Sequence, residues 1–444
     1  MGYFNQYVRA ESLEEAYGFT RKKNNFVLGG MLWLKMRKRP FGTAIDLSDL
    51  GLDQIEEDEK EFRIGAYVSL RELETNEALN TYTKGAFAES VKHIVGVQFR
   101  NVATVGGSLW GRYGFSDVMT IFRAMGAKVQ LHHAGILDLD EFVKMPRKTR
   151  DILVSVIVPK KVKAVVYLSQ RNQSTDFPVL TCAVAKREEG YVAAVGATPH
   201  LAENVWDKEG ILTEINEESI EKFAAKVAEQ IRFGSNMRSR SCISPDRLSG
   251  ACKTCTAYDC GRKQWRGGKV LMEVTITLNG KKITDSVDAD MVLLDFCRKH
   301  KCFSVKRGCE TGNCGLCTVL LDGKPVLSCS VPVGRASGRK VDTLEGLQEE
   351  AKKFTDFFAV QGADQCGFCN PGYIVNIVAL LRENPDPTDE EILEYLSGNL
   401  CRCTGYQSQL RSLRNYLNSK KEAAPLDLEA EVYGADIGRE WKHE

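Results

Sequence analysis

The chain has 444 residues, 15 of them cysteine, with 27% charged residues and a formal net charge of +1. That length supports roughly two to four domains with their own cores, and the near-neutral charge excludes the basic surface expected of a nucleic-acid or anionic-membrane binder. No apolar run reaches the length of a membrane span, and Met1–Ala10 lacks the basic-then-apolar layout of a secretory signal, so neither nucleic acid nor membrane is expected as a partner.

From Met1 to about Arg238 the pattern alternates between strands and helices. Ser12 reads as a helix cap, with Glu15 at the capping-box position. Phe26-Val-Leu-Gly-Gly reads as a short strand ending in a glycine pair, followed by Met31-Leu-Trp-Leu-Lys-Met. A strand that turns through glycines into a helix presents backbone N–H groups suited to phosphate, although a Gly-Gly turn more often just closes a loop. Asn101-Val-Ala-Thr-Val-Gly-Gly-Ser-Leu is the stronger glycine site, with Gly114-Phe-Ser-Asp and Ala124-Met-Gly-Ala after it. Neither site is a G-x-G-x-x-G fingerprint, so a nicotinamide-dinucleotide fold is not expected. Val179–Ala197 alternates as strands do, and Ile211–Ile231 has helical periodicity.

Ser239–Leu271 breaks the pattern. It has Cys242, Cys252, Cys255 and Cys260, no sustained apolar period, and a basic Arg-Lys-Gln-Trp-Arg-Gly-Gly end. From Met272 regularity returns. Glu273 to Ile283 alternates and turns on Asn279-Gly280, a hairpin signal. A helix is expected over Asp290–Lys299, and Thr318-Val-Leu-Leu reads as a buried strand. Beyond about Leu344 the chain turns helical: Pro371 sits at a first-turn position, Asp386-Pro-Thr-Asp-Glu-Glu opens another helix, and Gly398 ends it. The tail from Glu422 to Glu444 is charged and reads as a solvated arm or a strap on a partner.

The chemistry is concentrated in eight cysteines between Gly308 and Cys403. Cys309, Cys314, Cys317 and Cys329 follow C-x4-C-x2-C with a distant fourth thiol, the plant-type spacing for a [2Fe–2S] cluster. Gly308, Gly312 and Gly315 permit the sharp bends that three closely spaced thiolates require. The second group is Cys366, Cys369, Cys401 and Cys403. One C-x2-C pair alone reads better as a zinc knuckle or an unligated pair, but two complete quartets within about a hundred residues do not. Thiols in cluster spacing fit a reducing cytoplasm better than a secreted disulfide framework. The positive end of the helix after Pro371 would face an anionic cluster.

Q-C-G-F-C and G-N-L-C-R-C-T-G-Y, in that order after the first quartet, resemble the iron–sulfur subunit of the xanthine dehydrogenase family of molybdenum hydroxylases, over Met272 to about Leu417. L-G-G-M-L, R-N-V-A-T-V-G-G-S-L and S-D-x5-R-A-M-G-A resemble the FAD-binding subunit of the same family. The resemblance implies an α+β multidomain chain. A vanillyl-alcohol-oxidase-type FAD-binding domain would span 1–162 and a C-terminal α+β flavin subdomain 163–238. An irregular linker would span 239–271, a β-grasp, ferredoxin-like [2Fe–2S] domain 272–345, a helical-bundle [2Fe–2S] domain 346–420, and a charged tail 421–444. It further implies that Leu28, Gly29, Gly30, Met31 and Leu32, with Thr104, Val105, Gly106, Gly107 and Ser108, hold the FAD pyrophosphate through backbone N–H groups. Asp117 would bind the ribose or adenine end, and Leu153 would pack on the adenine. The two quartets would each ligate a [2Fe–2S] cluster, and Gln365 and Cys403 would lie beside the pterin of a partner. Several members of the family place a lysine just after the aromatic that matches Tyr167; the residue here is Leu168, a departure that bears on flavin redox tuning.

By this resemblance the chain is the electron-transfer component of an oxidoreductase, passing electrons from molybdenum through the bundle cluster, the ferredoxin-like cluster and FAD to NAD or another acceptor. It supplies no catalytic residue of the substrate chemistry. No region remains for molybdopterin-binding domains, so a molybdopterin-binding large subunit in a hetero-oligomer is implied. On overall likeness the substrate is a purine or another N-heterocycle; aldehydes and carbon monoxide are the alternatives within the family. A stand-alone flavin/iron–sulfur reductase is the rival from outside it, and such a reductase has no need of the second quartet beside a pterin. For Ser239–Leu271 two readings stand: an extra metal site built from its four cysteines, or an out-of-frame join between two adjacent genes, which the family's expected helix in a shifted frame favours.

Overall fold

The computed structural model describes residues 3–37, 39–235 and 270–421. These fall in two compact units, Met1–Ile94 with Ala103–Val270, and Val95–Val102 with Leu271–Glu444. The segment Ser239–Leu271, apart from its last two residues, and the tail after Lys421 lie outside the described residues.

Among the described residues the first unit holds three sheets. A small parallel sheet orders Phe4–Arg9, Phe41–Asp46 and Phe26–Val27. Its apolar face meets helix Leu13–Thr20, whose Ser12 hydroxyl accepts the Glu15 N–H at 3.1 Å. The Glu15 carboxylate reaches back one residue further than a capping box requires, to the Glu11 N–H at 2.8 Å. A five-stranded antiparallel sheet orders Ile55–Glu57, Glu61–Gly65, Leu153–Pro159, Lys128–Leu131 and Gly135–Asp138. A four-stranded antiparallel sheet orders Glu203–Trp206, Gly190–Gly196, Pro178–Arg187 and Val162–Arg171. Helix Asp117–Met125 packs on that last sheet and is buried along most of its length.

Two helices are shorter than their periodicity predicts. Of Ile211–Ile231 only Glu217–Gln230 is helical. The Asp207 carboxylate accepts the Ile211 and Leu212 N–H groups at 2.9 and 2.8 Å, which fixes a turn there, and Asn216 caps the helix proper. After the Leu28-Gly-Gly turn the expected helix is a single 3-10 turn, Leu34–Met36.

In the second unit a mixed sheet orders Lys281–Asp288, Leu271–Leu278, Lys340–Asp342, Thr318–Leu321 and Lys324–Leu327. Its first hairpin turns on Asn279 and Gly280, at φ 49° and 78°. Two successive left-handed residues make the turn whose twist matches the strands. Helix Leu293–Lys299 starts three residues after Asp290. Among the described residues the unit also holds the short helix Val97–Arg100 and four longer ones, Gln348–Val360, Asn370–Glu383, Asp389–Leu396 and Gln407–Lys421. They enclose a core that includes Phe354, Phe358, Ile377, Leu380 and Leu413. Thr388 and Glu391 form a complete capping box on Asp389–Leu396.

Candidate functional site

In the first unit the two glycine segments meet. A Cβ on Gly29 would fall 2.9 Å from the Thr104 hydroxyl and 3.3 Å from the Gly107 Cα. Only a residue without a side chain permits that approach. Tyr67 donates its hydroxyl to the Leu28 carbonyl and so anchors the turn, which Met31 completes at φ 57°. The backbone donors of the two segments are used differently. Val105 and Gly106 N–H donate to Val68 and Ala66 carbonyls at 2.9 and 2.8 Å, and Ser108 N–H to the Thr104 carbonyl at 3.0 Å. Gly107 N–H donates to the Thr104 hydroxyl at 3.1 Å. Gly30, Met31 and Leu32 N–H make no hydrogen bond among the described residues. The open donors therefore sit on the Leu28–Leu32 turn. The Thr104–Ser108 segment, with the N–H groups of Val105 to Ser108 engaged, contributes an exposed glycine face at Gly107.

Asp117 opens helix Asp117–Met125 and is buried. Its Oδ1 accepts from the Tyr167 hydroxyl and from the Arg171 guanidinium, both at 2.5 Å. Burial pushes the Asp117 carboxyl above its ordinary range, opposed by Arg171 and Tyr167, and burial beside Asp117 pushes the Tyr167 phenol well up. Leu153 is buried at the start of its strand, opposite Leu131. Leu168, on the edge strand Val162–Arg171, is 66% exposed. Sequence reasoning did not foresee an aromatic group that follows the glycine turn: Trp33 lies 5.2 Å from Tyr113 and 5.5 Å from Phe115, and Phe115 lies 4.5 Å from Phe177, between ring centres. These rings come from three loops, with no periodicity to betray them.

In the second unit Cys309, Cys314, Cys317 and Cys329 line one cavity together with Leu294, Arg307 and Leu327. Left-handed Gly312 and Gly315, at φ 90° and 72°, bend the loop back on itself. The Cys309 sulfur accepts the Asn313 and Cys314 N–H groups at 3.3 and 3.4 Å. The Cys314 sulfur accepts the Cys309 N–H at 3.4 Å. Hydrogen bonding with Cys314 holds the Cys309 thiol down at about 3, and the same contact pushes Cys314 up. Cys317 pairs with Cys329 in the same way, and that contact, with burial, raises the Cys317 thiol.

The second quartet is set between helix ends. Cys369 is the residue before helix Asn370–Glu383, and Pro371 occupies its first turn. The Cys366 and Cys403 sulfurs are 3.4 Å apart and both residues are exposed, while Cys369 and Cys401 are buried. The Cys401 sulfur accepts from the Thr404 hydroxyl and the Cys403 N–H at 3.3 and 3.4 Å. The Phe368 N–H, then Cys403, lower the Cys366 thiol, whereas burial pushes Cys369 up to about 12. Gln365 is exposed, its amide donating to the Gly362 carbonyl at 3.0 Å. Among the described residues no group of three or more His, Cys, Asp or Glu side chains meets around one metal ion. Thiols in pairs suit a binuclear cluster instead, in which two cysteines serve each iron. Iron held by such thiols would offset the charge of their thiolates.

Comparison with known proteins agrees with this chemistry. Residues 3–161 match the family model described as an FAD binding domain in molybdopterin dehydrogenase. Residues 276–340 match a 2Fe-2S iron-sulfur cluster binding domain, and 343–414 a [2Fe-2S] binding domain. The chain is similar to the nicotine 6-hydroxylase small subunit of Paenarthrobacter nicotinovorans, 44% identical over 31% of this chain and 84% of that one. It is similar to the nicotinate dehydrogenase small FeS subunit of Eubacterium barkeri, 46% identical over 30% of this chain and 87% of that one. A probable xanthine dehydrogenase subunit of Bacillus subtilis is 40% identical over 32% of this chain and 86% of its own. The chain belongs to the xanthine dehydrogenase family of molybdenum hydroxylases, as an oxidoreductase component that transfers electrons through FAD and two [2Fe–2S] clusters.

Proposed function

We propose that the chain receives electrons from a separate molybdopterin-binding large subunit at its second cysteine quartet and delivers them through FAD to an external acceptor, NAD or another carrier. The observation that carries this reading is the exposure of two of that quartet's thiols. Cys366 and Cys403 are open to solvent, and Phe368, Leu400 and Tyr406, two or three positions away in the chain, are 50%, 40% and 39% exposed, whereas Cys317 and Cys329 of the first quartet are buried. Apolar groups left exposed around a polar site mark an interaction surface. Gln365 and Cys403 stand on that face and are the residues assigned to the pterin side.

When bound, the clusters carry single electrons and the flavin exchanges one or two. The chain's own residues do the rest. The N–H groups of Gly30, Met31 and Leu32 bind the FAD pyrophosphate, Gly29 and Gly107 let it approach, and Thr104 fixes their spacing. Asp117 and Leu153 are assigned to the ribose–adenine end, Asp117 held in place by Tyr167 and Arg171. Trp33, Tyr113, Phe115 and Phe177 offer a surface on which a flat ring can stack. The assigned iron ligands are the eight cysteines. In this reading the first unit is a vanillyl-alcohol-oxidase-type flavin domain with its C-terminal subdomain. The second is a β-grasp ferredoxin-like domain, to about residue 345, followed by a helical bundle. A reducing cytoplasm suits these thiols.

The oxidised substrate is assigned as an N-heterocycle, supported by the likeness to subunits named for nicotine and nicotinate. The test is direct. The purified chain should hold about four irons and one FAD and be bleached by dithionite, but not by xanthine or nicotinate, until the large subunit is added. Bleaching by either substrate without a partner sinks the proposal.

A further inference from the structure

The two quartets are held against each other by a buried set of side-chain amides, of which Asn399 lies in the G-N-L-C-R-C-T-G-Y motif while Asn376 and Gln98 lie in no cysteine motif. Asn376 lies in helix Asn370–Glu383, Asn399 follows helix Asp389–Leu396, and Gln98 lies in Val95–Val102; they are 0%, 3% and 1% exposed. The Asn376 amide donates to the Asn399 Oδ1 at 2.8 Å and to the Tyr395 carbonyl at 3.2 Å. The Gln98 amide donates to the Gly398 carbonyl at 2.8 Å. Asn399 directs its own amide to the Gly315 carbonyl at 3.5 Å. Amides enclosed this completely are costly unless they are hydrogen-bonded, and the bonds these three make tie their backbone partners together; the Asn376 Oδ1 makes none among the described residues.

What the set holds is a contact between the cysteine loops. The Leu400 N–H donates to the Cys314 carbonyl at 3.0 Å. Cys314 is a ligand of the first quartet, and Leu400 precedes Cys401 of the second. The backbones touch around this bond: a Cβ on Gly315 would fall 2.5 Å from the Gly398 carbonyl oxygen and 2.6 Å from the Asn399 amide. Cys314 packs against Leu316, Cys369 and Cys401 in one apolar cluster. A continuous path of covalent bonds and one hydrogen bond thus joins a sulfur of each quartet.

We infer that Asn399, with Asn376 and Gln98, is a positioning residue for electron exchange between the two clusters. It fixes the Cys314–Leu400 hydrogen bond and with it the separation of the quartets. The step it serves moves one electron from the reduced to the oxidised cluster; no proton moves and no bond changes. This rests on the reading above, that each quartet holds a [2Fe–2S] cluster.

The experiment uses the full chain with its clusters, as wild type, Asn399→Ala and Gln98→Leu. Iron content and the electron paramagnetic resonance of the dithionite-reduced protein are measured, together with melting temperature. Two reduced clusters in fixed proximity split or broaden each other's signals. The expected result is about four irons in each variant, both cluster signals present, and loss of that mutual splitting. A lower melting temperature with unchanged splitting means the amides serve stability alone and overturns the inference. If Asn399→Ala loses iron, Gln98→Leu decides, since Gln98 donates to Gly398 and to no cysteine: retained splitting in that variant overturns the inference equally. Wild-type protein with about two irons would instead defeat the two-cluster reading, a failure distinguishable from this one.

Discussion

Individual side chains divide the flavin unit's residues into those that face a ligand and those that hold the ones that do. Gly107 is exposed, yet a Cβ there would meet the Thr104 hydroxyl at 3.0 Å. A valine at this position crowds the cradle without entering the core, so Gly107→Val should release FAD while iron content stays at the wild-type level, as flavin absorbance and an iron assay would show. Full flavin retention would place the site elsewhere. Asp117 and Arg171 are the opposite case, with side chains 5% and 7% exposed. Arg171→Met leaves a carboxylate buried without its cation, which costs roughly 3–5 kcal/mol. The sign with pH follows from the direction of the shift. A carboxyl raised by burial contributes stability below its unfolded pKa and loses it as pH rises through the folded value. The deficit of Arg171→Met should therefore be larger at pH 7 than at pH 4, and adding Asp117→Asn should recover part of it. Urea unfolding at the two pH values checks this; a deficit independent of pH would mean that Asp117 is neutral throughout.

Among the elements, loops and helix ends carry most of the candidate cofactor residues. The Cys309–Cys317 loop is closed by its own sulfur hydrogen bonds. The second quartet depends on where helix Asn370–Glu383 starts and where Asp389–Leu396 stops. The Cys314–Leu400 contact is made by backbone atoms, which a side-chain substitution at Cys314 leaves in place. Cys314→Ala should accordingly remove one cluster's paramagnetic resonance signal and spare the other. Loss of both signals would show that the second quartet cannot assemble beside an empty first one.

For the whole molecule, the candidate flavin-binding residues lie in one unit and all eight candidate iron ligands in the other. Cys242, Cys252, Cys255 and Cys260 fall outside the described residues. Since both quartets are complete without them, Cys252→Ser with Cys255→Ser should leave iron, zinc and FAD contents unchanged. Loss of any metal in that double variant would establish a further site in Ser239–Leu271.

Much of this was legible in the order of residues because the determining physics is local. A C-x4-C-x2-C spacing brings thiols together through a loop a few residues long, Asn279-Gly280 makes a hairpin from two adjacent backbone conformations, and Thr388 caps a helix from three residues away. Pro371 likewise marked the start of a helix through its own ring. Tertiary structure decided what depends on distant partners. Val68 and Ala66 take the N–H groups of Val105 and Gly106 and so leave the open donors on Leu28–Leu32. Arg171 and Tyr167, some fifty residues on, claim the Asp117 carboxylate. Gln98 bonds to a carbonyl 300 positions away. Side-chain amides, buried carboxylates and loop aromatics leave no period in a sequence, because what they do is set by which neighbours exclude water from them, and only the folded chain supplies those neighbours.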